Sequence, residues 1–502
     1  MDTQWISHRV HEAQGDVWVE SALEAYKKGD LCAWVSTFHP RKLECRSKGL
    51  FIYGSFNMAL KVIFRDGTAW MVRFPRGGIV HKAYADEKVA MEVIALRLLR
   101  SKTTIPVPKV KAWGDAASNP LGLGPFIMME FIEGVDLIKI IRAPNSERLA
   151  APMREDLSMD HIETLYKQMA DFLLQIFEMD FDRIGSLQST SSDFQREVPV
   201  RPLTLKTHSI MQDGDVNTFG KYITRHSNVK GFQIINILHL GDRSSGFKTA
   251  TEYLSYLVDQ EWEQLIHQHN STFGPKSAEA QYKASSAMRE LMPQLVHPEY
   301  DGSKFKFICD DFGLGNLIVR SEDDMTVVGV VDLEWSYIGP AQMLASAPWW
   351  LLMDRPVNVS WDYDGKTNKA PEVVERYFKH LDIFTRILEE EEAKRPTHEK
   401  KECSRLLKWS RESGAMWLHM ILTNGFNQHD SFVYRQLRDA LEPRWSEYID
   451  ELDEEEVEAF GQRKVKDLEL YDEALAGLDE RQKLMDDGVI TKLQFIEQSL
   501  KR

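Results

Sequence analysis

The segment Cys309-Asp310-Asp311-Phe312-Gly313-Leu314-Gly315-Asn316 sets a carboxylate five positions before an amide, and a second carboxylate, Asp332, opens Asp332-Leu333-Glu334-Trp335 further along. A carboxylate on a loop can accept the proton of an attacking hydroxyl. An amide oxygen beside a carboxylate suits a magnesium ion that carries nucleotide phosphates. These side chains therefore read as one base, Asp311, and two metal ligands, Asn316 and Asp332, of a phosphoryl-transfer site. Asp and Asn are also common in turns, where they bond the nearby backbone, so the pair alone is weak. The flanking residues sharpen the signal. Two β-rich runs, Leu317 to Val319 and Thr326 to Val331, enclose the polar turn Ser321-Glu322-Asp323-Asp324, the pattern of a short hairpin. A hairpin brings its outer ends together, which predicts that Asn316 and Asp332 sit side by side.

Asp311-Phe312-Gly313 also spells a metal-binding triplet used by protein kinases. That reading needs a base-bearing loop with the same Asp-x4-Asn spacing upstream, yet Asp301 is followed five positions later by Lys306. It would also leave Asn316 and Asp332 without a role, so Asp311 is assigned as the base.

Phosphoryl transfer further requires a turn over the phosphates, a cation on a strand and an acidic partner on the next helix. All three occur in order. Tyr53-Gly54-Ser55-Phe56-Asn57 lies between strand-like runs; Gly54 allows close backbone approach, and Ser55 can offer its N–H and hydroxyl to phosphate oxygens. Met58, Leu60, Val62 and Phe64 alternate with other residues, Asp66-Gly67 signals a hairpin, and Ala69 to Phe74 is the return strand. On it Arg73 shares a face with Met71 and Ala69, which sets a guanidinium beside a flat apolar surface suited to adenine. A helix from about Tyr84 to Ser101 carries Glu92 and Glu87 as candidate partners for Arg73. Singly, these residues fit a plain hairpin turn, a snorkelling strand residue and a solvated helix position. As an ordered set with the catalytic segment they read as one site.

The elements that must hold this site divide the chain into four parts: a helical extension (1–44), a β-rich lobe (45–132), a larger, mostly helical lobe with the catalytic hairpin (133–445) and an acidic helical tail (446–502). The prolines of Ile105-Pro106-Val107-Pro108 end the helix before them, and Phe126 to Ile132 is an apolar strand. Ile162, Leu165, Met169, Phe172, Leu173 and Ile176 recur at helical spacing. Residues 190 to 245 read as loop and short helix.

With 502 residues and 43% hydrophobic content the chain can bury a sizeable core. It has neither a run of eighteen apolar residues nor a charged start followed by an apolar stretch, so neither a membrane span nor secretion is indicated. Cys32, Cys45, Cys309 and Cys403 show no close-pair spacing, which argues against structural zinc and a disulfide framework and fits a cytoplasmic setting. A net charge of -15 argues against a nucleic-acid partner and is compatible with a cationic substrate. The acidic stretches Glu389 to Glu392 and Asp450 to Glu458 read as solvated helix faces. Nothing in the pattern speaks to oligomeric state.

With those residues assembled, the chain resembles the aminoglycoside phosphotransferase and choline kinase-like family, particularly its fungal branch. The resemblance runs from about Cys45 to about Leu441. Its markers are Tyr53-Gly-Ser-Phe-Asn57, Asp66-Gly-Thr-Ala-Trp-Met-Val-Arg73, Glu92-Val93, Thr104-Ile-Pro-Val-Pro108, Phe181-Asp-Arg-Ile-Gly-Ser-Leu187, Cys309-Asp-Asp311 to Asn316, Asp332-Leu-Glu-Trp335 and Pro348-Trp-Trp-Leu-Leu352. It implies an α+β, bilobal protein kinase-like fold and magnesium-dependent transfer of the ATP γ-phosphate to a hydroxyl of a small molecule. By position it implies Asp311 as base, Asn316 and Asp332 as metal ligands, Arg73 with Glu92 as the phosphate-anchoring pair, and backbone groups of Met129, Glu130, Phe131 and Ile132 as the adenine hinge. Two positions depart from the family pattern. Cys309 stands where an orienting His is usual, and Arg73 where Lys is usual; arginine keeps the charge but is larger and fork-shaped. These departures sustain an alternative reading, a nucleotide-binding module with degraded catalysis that acts as a scaffold. The Trp349-Trp350 pair reads as core packing, and His267 with His269 as a surface pair.

Overall fold

A computed structural model describes residues 5–143, 152–187, 201–216, 245–396, 400–423 and 426–500. Helices α1 (Trp5–Lys28) and α2 (Asp30–Ser36) lead into an antiparallel sheet of β1 (Cys45–Ser47), β2 (Ile52–Tyr53), β3 (Asn57–Phe64), β4 (Ala69–Pro75), β5 (Val110–Gly114) and β6 (Phe126–Glu130). The strand order is β1-β3-β4-β6-β5, with β2 paired to β3, and helix α3 (Ala85–Lys102) connects β4 to β5. Period-two alternation gives this sheet two different faces. Met58, Leu60, Val62, Phe64, Trp70, Val72 and Phe74 pack with Phe126 and Met128 against Leu31 and Val35 of α2. The opposite face carries Met71 and Arg73, paired in register with Met129 and Ile127, and there Ile127 and Met129 join the core of α3 and the second lobe. One face is therefore scaffold and the other faces the cleft.

The second lobe begins with β7 (Val135–Asp136), α4 (Leu137–Ile141) and α5 (Met159–Phe177). Ser158 caps α5 by accepting a hydrogen bond from the His161 N–H, and the apolar residues expected on one face of that helix are buried. α6 (Leu205–Val216) follows, then helices Ala250–His267 and Pro275–Leu291. β8 (Lys306–Cys309), β9 (Leu317–Val319), β10 (Val327–Val330) and β11 (Ser336–Gly339) form two small antiparallel sheets, β10-β9-β7 and β11-β8. The chain then stays helical through Glu372–Glu392, Glu402–Glu412, Ala415–Leu422, Phe432–Leu441, Arg444–Asp450, Glu454–Asp486 and Lys492–Leu500. The lobes are joined behind the site by the Val330 N–H, which donates to the Pro106 carbonyl at 2.8 Å.

Several expectations change. Glu392 is fully buried, and its carboxylate accepts the Cys403 and Ser404 N–H groups at 3.0 Å each, capping the next helix instead of facing water. Cys32 and Cys45, apart in sequence, meet where α2 passes β1: the Cys45 thiol lies 3.4 Å from the Cys32 carbonyl. Helix Ala250–His267 ends at the first of the two histidines, and His267 and His269 are half-buried instead of a surface pair, with His267 Nε2 3.2 Å from Glu263. Of residues 190 to 245, positions 190–200 and 217–244 lie outside the described residues, and the part seen from 205 is the helix α6. The two terminal segments also pack on each other. Val10 and Ala13 of α1 share a core with Tyr471, Leu478, Phe495 and Ile496, reinforced by ion pairs Arg9–Asp479 and Lys492–Asp16.

His208, His380 and His419 are buried, and loss of solvent pushes their imidazoles down to about 3, 4 and 3. Such groups take up protons on unfolding, so their contribution is intact above the unfolded value of about 6.5 and is lost as pH falls toward the folded values. Urea midpoints should therefore drop between neutral pH and about pH 5. His419→Gln should flatten that slope.

Candidate active site

β8 and β11 pair with Cys309 opposite Ser336, and the Asp310 N–H donates to the Trp335 carbonyl at 3.1 Å, which fixes the start of the loop 310–316. The loop lies on two tryptophans. A Cβ at Gly313 would come within 2.8 Å of the Trp350 Cβ and 3.2 Å of the Trp349 Cη2, so this close approach requires glycine. Asn316 Nδ2 donates to the Asp311 carbonyl at 2.8 Å and to its Oδ2 at 3.3 Å. The Val331 N–H donates to the Asn316 carbonyl at 3.0 Å, closing the hairpin and bringing Asp332 beside Asn316 as the spacing predicts. Asp332 adopts a left-handed backbone, φ 65°, a cost of the kind that concentrates at functional sites.

From the first lobe, Arg73 is ion-paired with Glu92, which resolves the choice left open with Glu87. Arg73 also reaches across the cleft, its Nη1 2.8 Å from Asp332 Oδ1 and its Nη2 3.9 Å from Glu334. Two partners here escaped the sequence reading. Lys88, one turn before Glu92 on α3, is buried, ion-paired with Glu334 and bonded to Asn57 Oδ1 at 3.1 Å. Glu334 accepts a further bond from Asn57 Nδ2. Two cations thus face three carboxylates in one buried network. Burial and then Glu334 push the Asp332 carboxyl up to about 7, against the pull of Arg73. Burial acts to raise Glu334 as well, but Lys88 and Arg73 outweigh it and hold that carboxyl below the ordinary range. The available signals were the i,i+4 spacing of Lys88 and Glu92, which puts both on one helix face, and the alternation of Asp332 and Glu334. A third residue, Arg355, donates from Nη2 to Asp311 Oδ1 at 2.8 Å, and nothing near it in sequence marks it.

The covering turn is present with its roles redistributed. Gly54 N–H donates to the Asn57 carbonyl at 2.8 Å and Ser55 is exposed. The Asn57 side chain is buried in the Lys88–Glu334 network. Phe56 packs edge-on to Trp335, ring centroids 5.3 Å apart. At the hinge, the Glu130 and Phe131 N–H groups are committed to the Lys109 and Ala69 carbonyls at 2.9 and 3.1 Å. Met129 is buried, Lys61 Nζ sits 3.3 Å above the Phe131 ring, and Ile132 fills the space that a Cβ on Gly329 would occupy.

The residues fit a nucleotide and a hard divalent cation. A carboxylate and an amide oxygen suit magnesium, which takes few protein ligands and fills its shell with phosphate and water oxygens. No cluster of three or more His, Cys, Asp or Glu poised to hold a metal occurs among the described residues. Asp332 keeps 32% of its side chain exposed, enough to be reached. At Gly54 a Cβ would meet the Asn57 carbonyl at an ordinary 3.5 Å, so packing within the protein does not demand glycine there.

Comparison with known proteins places the chain in a family. Residues 59–356 match the profile described as "Phosphotransferase enzyme family". A subtelomeric hrmA-associated cluster protein of Aspergillus fumigatus is 28% identical over 150 residues, 29% of this chain and 26% of that protein. Altered inheritance of mitochondria protein 9, mitochondrial, of Scheffersomyces stipitis is 38% identical over 102 residues, 20% of this chain and 15% of that protein. The chain thus spans about a quarter or less of the length of these relatives. Among solved structures, an amicoumacin kinase in complex with AMP-PNP, Ca2+ and Ami aligns with TM-score 0.38 at 10% identity, covering 89% of this chain and 95% of that one. No helix among the described residues is long and apolar enough to cross a membrane.

Removing one member of a buried ion pair strands the other. Lys88→Met should therefore cost about 3–5 kcal/mol in urea unfolding, and Lys88→Met/Glu334→Gln should recover most of that loss.

Proposed function

The chain belongs to the phosphotransferase enzyme family, and from that premise we propose that it transfers the γ-phosphate of ATP to a hydroxyl of a small molecule. The carrying observation is the continuous set of contacts from Glu92 through Arg73 to Asp332, with Asn316 and Asp311 alongside. That set unites a fixed cation, two oxygen ligands and a base at the junction of two lobes. In this reading 45–132 is the nucleotide lobe and 133–445 carries the catalytic hairpin and the acceptor site.

Asp311, 38% exposed, is the base: its carboxylate aligns the acceptor hydroxyl and takes its proton as the oxygen attacks phosphorus. Asn316 and Asp332 would hold magnesium, which would supply the positive charge that screens the phosphates. Arg73, kept in place by Glu92, offers a permanent positive charge to the nucleotide. The backbone at Gly54 and Ser55 covers the phosphates, and the hinge groups not spent on the sheet meet adenine. Acceptor recognition falls to the segment 190–300 and the region after 355, since function is not set by the fold alone. An intact base and ligand pair support catalysis over a purely scaffolding module.

A ligand bound only by the native state at 100 times its Kd adds about 2.7 kcal/mol. ATP with magnesium should accordingly raise the Tm of the wild type, and Asp332→Asn should lose the metal-dependent part. Asp311→Asn should keep that shift while transfer falls by about 100-fold or more. No metal-dependent shift at saturating nucleotide would sink the reading.

A further inference from the structure

We propose that Arg355 is the positioning residue of the candidate base, turning the Asp311 carboxylate so that one oxygen faces the Asn316 side of the cleft. The assignment rests on the reading of Asp311 as base. Asp311 Oδ1 accepts from Arg355 Nη2 at 2.8 Å, while Oδ2 lies 3.3 Å from Asn316 Nδ2. The same Arg355 nitrogen lies 3.3 Å from the Asp310 carbonyl, so it grips the loop backbone as well as the side chain. Charge-assisted bonds of this kind are short and directional. With Oδ1 so held, rotation about the carboxylate axis is stopped and Oδ2 is the oxygen left to take a proton.

Arg355 is itself immobilised. Its guanidinium carbon sits 3.5 Å from the Trp349 ring centroid, a cation–π contact, and 16% of the side chain is exposed. Trp349 opens the turn Trp349–Leu352, and Met353 then reverses the chain with φ 62°, which brings Arg355 back over the ring. Beyond it, buried Asp354 accepts Trp361 Nε1 at 2.9 Å and Ser360 Oγ at 2.8 Å, pinning the backbone that carries Arg355. From the strand leading into the loop no help comes. The Cys309 thiol is buried, and burial pushes it far above the ordinary thiol range, so it stays a neutral core group. Trp349 packs against the main core, as the sequence reading has it, and carries a second role there. It is the surface on which the positioning cation rests.

The test measures Mg-ATP hydrolysis, with water as acceptor, and Mg-AMP-PNP binding for wild type, Asp311→Asn, Arg355→Lys and Arg355→Ala. A base displaced by about 1 Å loses about 100-fold. Arg355→Ala should turn over about 10- to 100-fold slower, with KM for ATP and AMP-PNP affinity unchanged within about twofold. Arg355→Lys should be intermediate. Added guanidinium ion should restore part of the Arg355→Ala rate and do nothing for Asp311→Asn, a response that a merely structural arginine would not give. Wild-type turnover in Arg355→Ala, or a loss that neither guanidinium nor Arg355→Lys relieves, overturns the role of Arg355 and leaves the base assignment standing. Wild-type turnover in Asp311→Asn overturns the base itself, and absence of hydrolysis in the wild type overturns both. If Arg355→Ala does not fold, Arg355→Lys is read by the same split of kcat from KM and by guanidinium response.

Discussion

A guanidinium removed from water must be met by carboxylates held in place, and much of this molecule is arranged around meeting that demand for Arg73. An unpaired buried charge is too costly to survive in a folded chain, so Glu92 has to face inward and α3 has to lie with one face against the sheet. Asp332 has to come across the cleft, which sets where the β9–β10 hairpin ends. Lys88 and Glu334 extend the same logic by one more pair, using the next inward position on α3 and the next inward position after Asp332. The result is a joint between lobes made of charge, in which each member is fixed because its neighbours would otherwise be stranded.

The two-faced sheet makes that joint possible. α2 covers one face with an apolar layer, so the other can present Met71 and Arg73 to the cleft. The second lobe supplies the complementary rigidity: β8, Gly313 and the two tryptophans set the height of the catalytic loop, and Arg355 sets the angle of its carboxylate. The height of the 310–316 loop and the orientation of the Asp311 carboxylate are thus governed by different elements.

Much of this was legible in the sequence because it is local. The hairpin ends at Asn316 and Asp332, the alternation on β3 and β4, and the helix carrying Glu92 all follow from spacing within a few tens of residues. What escaped was set by tertiary contact. Lys88 reads as a surface lysine until Glu334 is known to face it, and Asn57 reads as part of a turn until both surround it. Glu392 reads as one acid in an acidic run until the N–H groups of Cys403 and Ser404 are seen to need it. Arg355 reaches Asp311 across forty-four positions, through a reversal at Met353 that no periodicity announces. Of the backbone groups at 129–132 that the resemblance implies for adenine, the Glu130 and Phe131 N–H groups are taken by the Lys109 and Ala69 carbonyls, because backbone donors in and beside a sheet must be paired.

The packing of α1 against the last two helices bears on how the chain is built. Arg9 and Asp479 are separated by 470 positions, and Val10 and Ala13 find their cover in Tyr471, Phe495 and Ile496. The partners of α2, between Phe51 and Met128, are by contrast near in sequence. During synthesis the sheet can therefore close early over α2 and the second half of α1, where Ala22 joins the same core and Trp18 Nε1 donates to the Leu123 carbonyl at 3.2 Å, while Val10 and Ala13 wait for the segment from Tyr471 to Ile496. Contacts of such separation form slowly because a very long loop must close first. The two halves of α1 are thus fixed at different stages, the second with the sheet beside it and the first only when the segment around Phe495 reaches it.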